Sequence, residues 1–320
     1  MSTTTVGDRP GSPGPRFDEH DHVPELVPLR KATGKADWDA VQACFEALDS
    51  AEKASFASGI VAGTDGIEGF LRRAAARLPG EPLPRTLLAD HYVRVGWGIR
   101  GRAQAAHVSR EQFDRFHGCL ERAEQILIEV CGEHPSYAHA WTVRLITARG
   151  LELGRAEARR RYDRLCAHHP HHYPAQAQLL QQLCPKWGGS WEAAHGFAQE
   201  AVAAAPAGSH SGALVAHAHL EHWLVLDGAS AATYLRDVAV RNDLRRAAQA
   251  SVLHPDHRPG WYGLGAHNAF AMAFSLGGHH ADAAPHFREL GDRPTEFPWH
   301  YLPHRTEAFV TYRNKALAKG

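Results

Sequence analysis

The chain has no excess of charge of either sign. Its 320 residues include 35 lysines and arginines and 35 aspartates and glutamates, so the formal net charge is zero with neutral histidines. A protein without a basic field has no general electrostatic attraction for nucleic acid or for an anionic membrane surface. We therefore expect neither nucleic acid nor a membrane as a partner.

Long apolar runs are also missing. No uninterrupted apolar run approaches the ~20 residues that a membrane-spanning helix needs. The start of the chain, Met1 to Pro15, is rich in Ser, Thr, Gly and Pro and lacks the apolar stretch of a secretion signal. The five cysteines form an odd set without a CxxC pair, which is typical of reduced thiols rather than of a disulfide framework. These absences together predict a cytoplasmic protein.

The signature motifs of several large enzyme classes do not occur. The chain has no Gly-rich phosphate loop followed by Lys-Ser/Thr, no HExxH and no GxSxG. We therefore assign no catalytic residue and expect no cofactor, with a divalent metal as the alternative. A catalytic role is left open, although a non-catalytic role is favoured.

Apolar side chains recur at helical spacing, and β-branched runs of period two are absent, so we predict an all-α protein. Residues 1–34 carry five prolines among polar residues, which is typical of a flexible tail. Residues 35–320 are predicted to form one helical domain. Its first helix pair is joined around Gly59 to Asp65 and ends at Pro79.

Helix-ending prolines recur in the middle of the chain at steps of 35 and 36 residues: Pro135, Pro170 and Pro206. A small residue precedes each of them by twelve positions: Ala123, Ala158 and Ala194. A tryptophan follows a proline by six positions at Trp141 and at Trp261. One helical repeat family has a period near 34 residues. Its repeats carry a small residue where their two helices cross and a large residue at the start of the first helix.

The chain resembles the tetratricopeptide superfamily, most clearly over about residues 100–206. This resemblance implies antiparallel helix pairs stacked as a curved solenoid. The longer step from Pro206 to Pro255 indicates an inserted segment around Asp227 to Arg241, and the aromatic tract Glu296 to His304 is expected to cap the last repeat. The first helix pair is also atypical for the family.

The tract from Cys184 to Glu192 contains Pro-Lys-Trp-Gly-Gly-Ser and is similar to a turn in uncharacterised bacterial tetratricopeptide-like proteins. We expect Gly188 and Gly189 to adopt positive φ between two helices. Ser190 is placed to cap the helix that starts at Trp191.

In tetratricopeptide arrays the first helix of each repeat lines a concave groove. The resemblance places His139, Thr142, Ile146 and Arg149 on that face, with Tyr262, Ala266 and the neighbouring His267 in a later repeat. Such a groove suits an extended peptide or an acidic chain end, through charge-assisted hydrogen bonds and stacking. The leading hypothesis is a non-catalytic interaction scaffold with a protein or peptide partner.

The 24 histidines support an alternative hypothesis. His217 and Glu221 are spaced i,i+4 on one helix face and could chelate a divalent metal, with His267 as a third ligand. In that case the chain would be an enzyme or a small-ligand or metal-binding protein with a His-lined pocket inside the array. Solvated polar residues on a helix face would have the same spacing, so the sequence leaves both interpretations open.

Overall fold

The computed structural model describes residues 15–101 and 108–320. In these two ranges the chain forms α-helices with short 3-10 helices between them and no β-strand, which confirms the all-α prediction for this part of the chain. The α-helices are α1 (Val27–Gly34), α2 (Trp38–Glu46), α3 (Ala51–Ala62), α4 (Glu68–Arg77), α5 (Pro82–Arg100), α6 (Arg110–Glu133), α7 (Ala138–Gly150), α8 (Gly154–Cys166), α9 (Tyr173–Leu183), α10 (Trp191–Ala204), α11 (Ala213–Leu224), α12 (Gly228–Tyr234), α13 (Val238–Ala250), α14 (Gly263–Leu276), α15 (His280–Leu290), α16 (Glu296–Trp299) and α17 (Arg305–Lys319).

Helices that follow one another in the chain pack as neighbours: α5 against α6, α7 against α8 and α14 against α15. The helices α5, α7, α9, α11 and α14 also contact one another in chain order, and we call them the first-helix row. The short helix α12 falls inside the predicted insertion. No helix in the two described ranges is both long and apolar enough to cross a membrane.

The predicted crossing alanines are buried. Ala123 in α6, Ala158 in α8 and Ala194 in α10 are each 0% exposed. Small side chains let helices approach closely, so a larger residue at these positions would have to displace its neighbours.

Two of the three predictions for the Pro-Lys-Trp-Gly-Gly-Ser turn are confirmed, those for Gly188 and Ser190. Gly188 adopts φ +81°, and the Ser190 hydroxyl accepts a hydrogen bond from the Ala193 amide at 3.1 Å, which caps α10. Gly189 is required for a different reason than expected, because a Cβ there would lie 1.9 Å from the backbone oxygen of Leu183. Close packing of the backbone, rather than a positive φ, excludes a side chain at this position.

Residues 15–34, which we call the N-terminal segment, do not form the flexible tail that the sequence predicts. Residues 1–14 lie outside the described part of the chain, but residues 15–34 form two short 3-10 helices and α1. Four apolar side chains of this segment are buried: Phe17, Val23, Leu26 and Leu29. They are spaced among prolines and charged residues, so they do not form the continuous periodic stripe by which a sequence pattern indicates a helix.

The helix α3 packs against three members of the first-helix row, α5, α7 and α9. Its Phe56 ring also contacts Trp261 and Tyr262, which precede α14, at centroid distances of 5.7 Å and 5.1 Å. Part of the face of the first-helix row is therefore covered by the chain itself.

The aromatic tract near the C-terminus joins the core. Trp299 is fully buried beside Phe287 and Phe309, and its indole nitrogen donates a hydrogen bond to Asn268 Oδ1 at 2.6 Å. The role of this tract as a cap on the last repeat stays a prediction. The helix α17 follows and packs on α15.

Candidate functional site

A cavity of about 360 Å³ lies between α3 and the first-helix row, and we call it the central cavity. The N-terminal segment, α3, α5, α7, α9 and α11 all contribute side chains to its wall. The C-terminal part of the chain adds Tyr262, Gly265 and Phe297 to the wall. The cavity thus joins residues from nearly the whole length of the chain.

Four of the residues predicted for the concave face line this cavity: His139, Thr142, Ile146 and Tyr262. The Thr142 hydroxyl donates to the backbone oxygen of Ala138 at 3.0 Å, so this side chain is already satisfied within its own helix.

Asp90 and His139 form a buried polar contact in the wall. Their side chains are 4% and 7% exposed, and Asp90 Oδ2 lies 3.3 Å from His139 Nε2. This is a close polar contact rather than a well-formed hydrogen bond, and neither Asp90 Oδ2 nor either ring nitrogen of His139 has another hydrogen-bond partner within the described residues. Unsatisfied buried polar atoms are costly, so these three atoms are candidates to contact a ligand.

The charge of Asp90 is partly offset by its own helix. Arg94 Nε lies 3.3 Å from Asp90 Oδ1, one turn further along α5. Burial alone would raise the pKa of Asp90, but Arg94 and His139 together bring it below its ordinary value. Asp90 is therefore a buried carboxylate, not a neutral acid.

Glu19 is the second carboxyl group in the wall, and it comes from the N-terminal segment. Its side chain forms no hydrogen bond or ion pair within the described part of the chain. Burial raises its pKa, because a charged carboxylate without partners is poorly stabilised away from water. The sequence did not indicate Glu19 as a site residue, because it lies in a segment whose composition predicts a flexible tail.

Aromatic side chains form much of the remaining wall. Tyr262 contacts Phe56 at 5.1 Å and Tyr173 at 5.4 Å between ring centroids. Phe297 lies 4.5 Å from the ring of His217. None of Phe56, Tyr173 and Phe297 was predicted as a site residue, since aromatic residues at helical spacing are equally typical of a core.

Arg149 lies outside the wall of the central cavity. Its guanidinium carbon lies 5.8 Å from the centre of the Trp97 ring and 5.7 Å from the centre of the Trp187 ring. The guanidinium also donates a hydrogen bond to the side-chain oxygen of Gln178 at 3.0 Å. Burial lowers its pKa to about 10. This contact also gives Trp187 of the Pro-Lys-Trp-Gly-Gly-Ser turn a structural role.

His267 lines a separate, smaller cavity of about 200 Å³ beside the N-terminal segment. Its Nδ1 lies 3.0 Å from Nδ1 of His286, which is fully buried. Burial lowers the pKa of His267 to about 4, so the ring is neutral at pH 7.

The two predicted metal ligands have different surroundings. His217 lines the central cavity with its Nε2 3.3 Å from the Tyr173 hydroxyl, and burial lowers its pKa to about 4. The Glu221 carboxylate accepts hydrogen bonds from Lys186 at 2.7 Å, and from Gln181 and Tyr301 at 2.6 Å each. Within residues 15–101 and 108–320, no group of three or more His, Cys, Asp or Glu is arranged to hold a metal ion. Metal binding by His217 and Glu221 stays a prediction.

A second polar cluster joins α10 to α13. The Tyr234 hydroxyl lies 2.8 Å from His219 Nδ1, 3.0 Å from His222 Nδ1 and 3.4 Å from His195 Nε2. The other ring nitrogen of His219 lies 3.0 Å from Asp243 Oδ2. These five side chains come from four helices, α10, α11, α12 and α13.

No protein-family model matches the chain, and no curated protein sequence matches it. The geometry of the central cavity is therefore the basis for a functional proposal.

Proposed function

We propose that this protein binds a small organic ligand in the central cavity. The observation that carries the proposal is the set of buried atoms of Asp90 and His139 that line the cavity without hydrogen-bond partners. A volume of about 360 Å³ lies in the range of ligand pockets, about 300–1,000 Å³. A mostly apolar wall with a few converging polar groups is also the composition of such pockets.

A small ligand in a pocket is the alternative hypothesis from the sequence, and two observations support it over the interaction scaffold. An extended peptide needs a continuous groove, but α3 packs over α5, α7 and α9, and Phe56 reaches across to Tyr262. Arg149, which was expected to contact a peptide, is held by Trp97 and Trp187 instead. These contacts favour a small molecule over an extended chain.

We also propose that the helix pairs are tetratricopeptide-like repeats. The support is the regular proline step, the fully buried Ala123, Ala158 and Ala194, and the contacts along the first-helix row. In this proposal α3 and the N-terminal segment occupy the face that a curved array would otherwise offer to a partner.

A cytoplasmic location is part of the same proposal. All five cysteines are free thiols, and Cys131 and Cys184 are buried, where burial raises the pKa of each thiol. Free buried thiols suit a reducing compartment.

A cavity-filling variant tests the proposed function. Ala177 lines the cavity from α9 without being fully buried, so Ala177→Trp should fill the space while leaving the helix contacts in place. Native mass spectrometry would identify small molecules that co-purify with the wild type and with each variant. A thermal-shift assay with a metabolite library would measure which compounds raise the melting temperature of each protein. Ala203→Trp at an exposed position of α10 is the matched control.

The expected result is at least one small molecule that binds the wild type and Ala203→Trp but not Ala177→Trp. A protein partner captured from lysate and retained by Ala177→Trp would instead favour the scaffold. Metal analysis of untagged protein, with His217→Ala and Glu221→Ala for comparison, tests the metal prediction separately.

A further inference from the structure

We propose that the ligand of the central cavity is an organic cation, either a protonated amine or a quaternary ammonium group. This inference rests on the proposed function and narrows it to one class of ligand. It is carried by the placement of Glu19 and Asp90 beside the aromatic wall of Phe56, Tyr173 and Tyr262.

The carboxyl groups in the wall favour a cation, because a positive charge nearby stabilises the ionised form of a buried carboxyl group. Two carboxyl groups, Glu19 and Asp90, face the cavity with one guanidinium, that of Arg94. Arg94 is paired with Asp90, whereas Glu19 forms no ion pair within the described residues. A bound cation would supply the missing partner of Glu19.

The histidines do not reverse this balance. His217 is neutral at pH 7 because burial lowers its pKa to about 4. Nδ1 of His20 lies 2.9 Å from Asp18 Oδ1, so a proton on that ring would be offset by its neighbour. A proton on His139 would be paired with Asp90, 3.3 Å away, which leaves Glu19 as the carboxyl group in the wall for a bound cation.

The carboxyl groups beside the aromatic wall disfavour a negative charge there when they are ionised. Burial raises the pKa of both Tyr173 and Tyr262, and the carboxylates of Glu19 and Glu52 raise each of them further. A field that opposes a phenolate stabilises a positive charge at the same place. Glu52 lies just outside the wall, where it accepts a hydrogen bond from the Tyr173 amide at 2.8 Å.

The aromatic rings add a second, independent attraction. The faces of Phe and Tyr rings attract ammonium groups, and clustered rings are the usual site for quaternary ammonium ligands. Asp90 Oδ2 adds a buried acceptor without a hydrogen-bond donor, which an N–H of a protonated amine would satisfy. A quaternary ammonium would use only the rings and the charge of the ionised carboxyl groups, so the two forms of cation can be distinguished.

Four probes of similar size test the inference by isothermal titration calorimetry on the full chain. The cations are 2-phenylethylamine and its N,N,N-trimethyl derivative, the neutral probe is 2-phenylethanol, and the anion is 3-phenylpropanoate. We expect both cations to bind at least about tenfold more tightly than the other two probes. A tighter trimethyl form would indicate binding by the rings, and a tighter primary amine would indicate binding by Asp90.

Glu19→Gln is the diagnostic variant, because it removes the charge while keeping the size of a side chain that has no hydrogen-bond partner to lose. It should weaken cation binding at least about tenfold and change the affinity for the alcohol by less than about twofold. Glu25→Gln, at an exposed position six residues away, is the matched control. Circular dichroism and melting temperature confirm that each variant folds.

Two results would overturn the inference. In the first, the alcohol or the anion binds at least as tightly as the cations, and this binding is lost in Ala177→Trp. The proposed function would then stand, but with a different class of ligand. The other is the absence of a binding signal for both cations up to about 10 mM. Failure of the proposed function is distinct from either, since it requires that Ala177→Trp affects no ligand at all.

Discussion

Nε2 of His22 lies 3.2 Å from the backbone oxygen of Pro294, so the N-terminal segment contacts a loop 272 residues away in sequence. The Arg305 guanidinium, at the start of α17, lies 4.5 Å from the centre of the Phe17 ring. At the other end of the segment, α1 packs against α2 and α3. The N-terminal segment therefore links the first helices of the chain to the last ones.

Removal of this segment is expected to destabilise the protein. A chain that begins at Lys35 loses the buried side chains of Phe17, Val23, Leu26 and Leu29, each of which contributes about 1.5–3 kcal/mol when buried. We expect its melting temperature, followed by circular dichroism, to fall by about 5 °C or more. A chain that begins at Pro15 retains all of these contacts and is the reference. Equal melting temperatures would show that the segment does not dock in solution.

Ala158→Phe is expected to destabilise the fold by about 1–3 kcal/mol, because Ala158 is 0% exposed where α8 packs against its neighbours. Ala194→Phe should behave alike for the same reason. Ala156→Phe, at an exposed position of α8, is the control and should change stability by less than about 0.5 kcal/mol. Urea unfolding measures all three. Indistinguishable midpoints for Ala158→Phe and Ala156→Phe would contradict the packing described above.

Arg149→Ala is expected to lower stability by about 1–3 kcal/mol rather than to act on binding alone. The substitution removes two ring contacts, to Trp97 and Trp187, and the hydrogen bonds to Gln178. Arg159→Ala, on the exposed side of α8, should be close to neutral. Chemical unfolding of both variants measures the difference, and full stability of Arg149→Ala would mean that its side chain is free to contact a partner.

Stability is expected to fall as the pH decreases from about 6.5 to about 4. Burial lowers the pKa of His195, His217 and His267 to about 4 each and that of His172 to about 3, whereas the ordinary value is 6.5. Between these values the unfolded chain binds more protons than the folded protein, so stability rises with pH in that window. Each group contributes a slope of up to about 1.4 kcal/mol per pH unit, and the effect is complete above pH 6.5.

Urea unfolding at about pH 7.5, 6.5 and 5.5 measures this slope. His217→Gln should make it shallower, because one histidine that is neutral when folded is removed. His168→Gln, at an exposed position, is the matched substitution. Identical slopes for the wild type and His217→Gln would show that His217 does not differ between the folded and unfolded states.

The sequence by itself determined that the described part of the chain is helical and how some of its helices begin. Ser190 caps α10 and Gly188 adopts a positive φ because both properties depend on residues a few positions apart. The buried Ala123, Ala158 and Ala194 follow from a regular period, which is visible without knowing how the helices meet. Local hydrogen bonds and periodic burial depend on residues that are close together in the sequence, so a sequence pattern can predict them.

Only the tertiary structure decided which side chains share the central cavity. His139 and Tyr262 were expected on one face, but Glu19, Asp90 and Phe56 join them from segments that the sequence pattern assigned to a tail or to ordinary helix surface and core. The contact between His22 and Pro294 could not be predicted either, because it depends on the sum of all turns between them. The physical reason is that a contact between distant residues is set by the angles at which many helices pack, and these angles have no local sequence pattern.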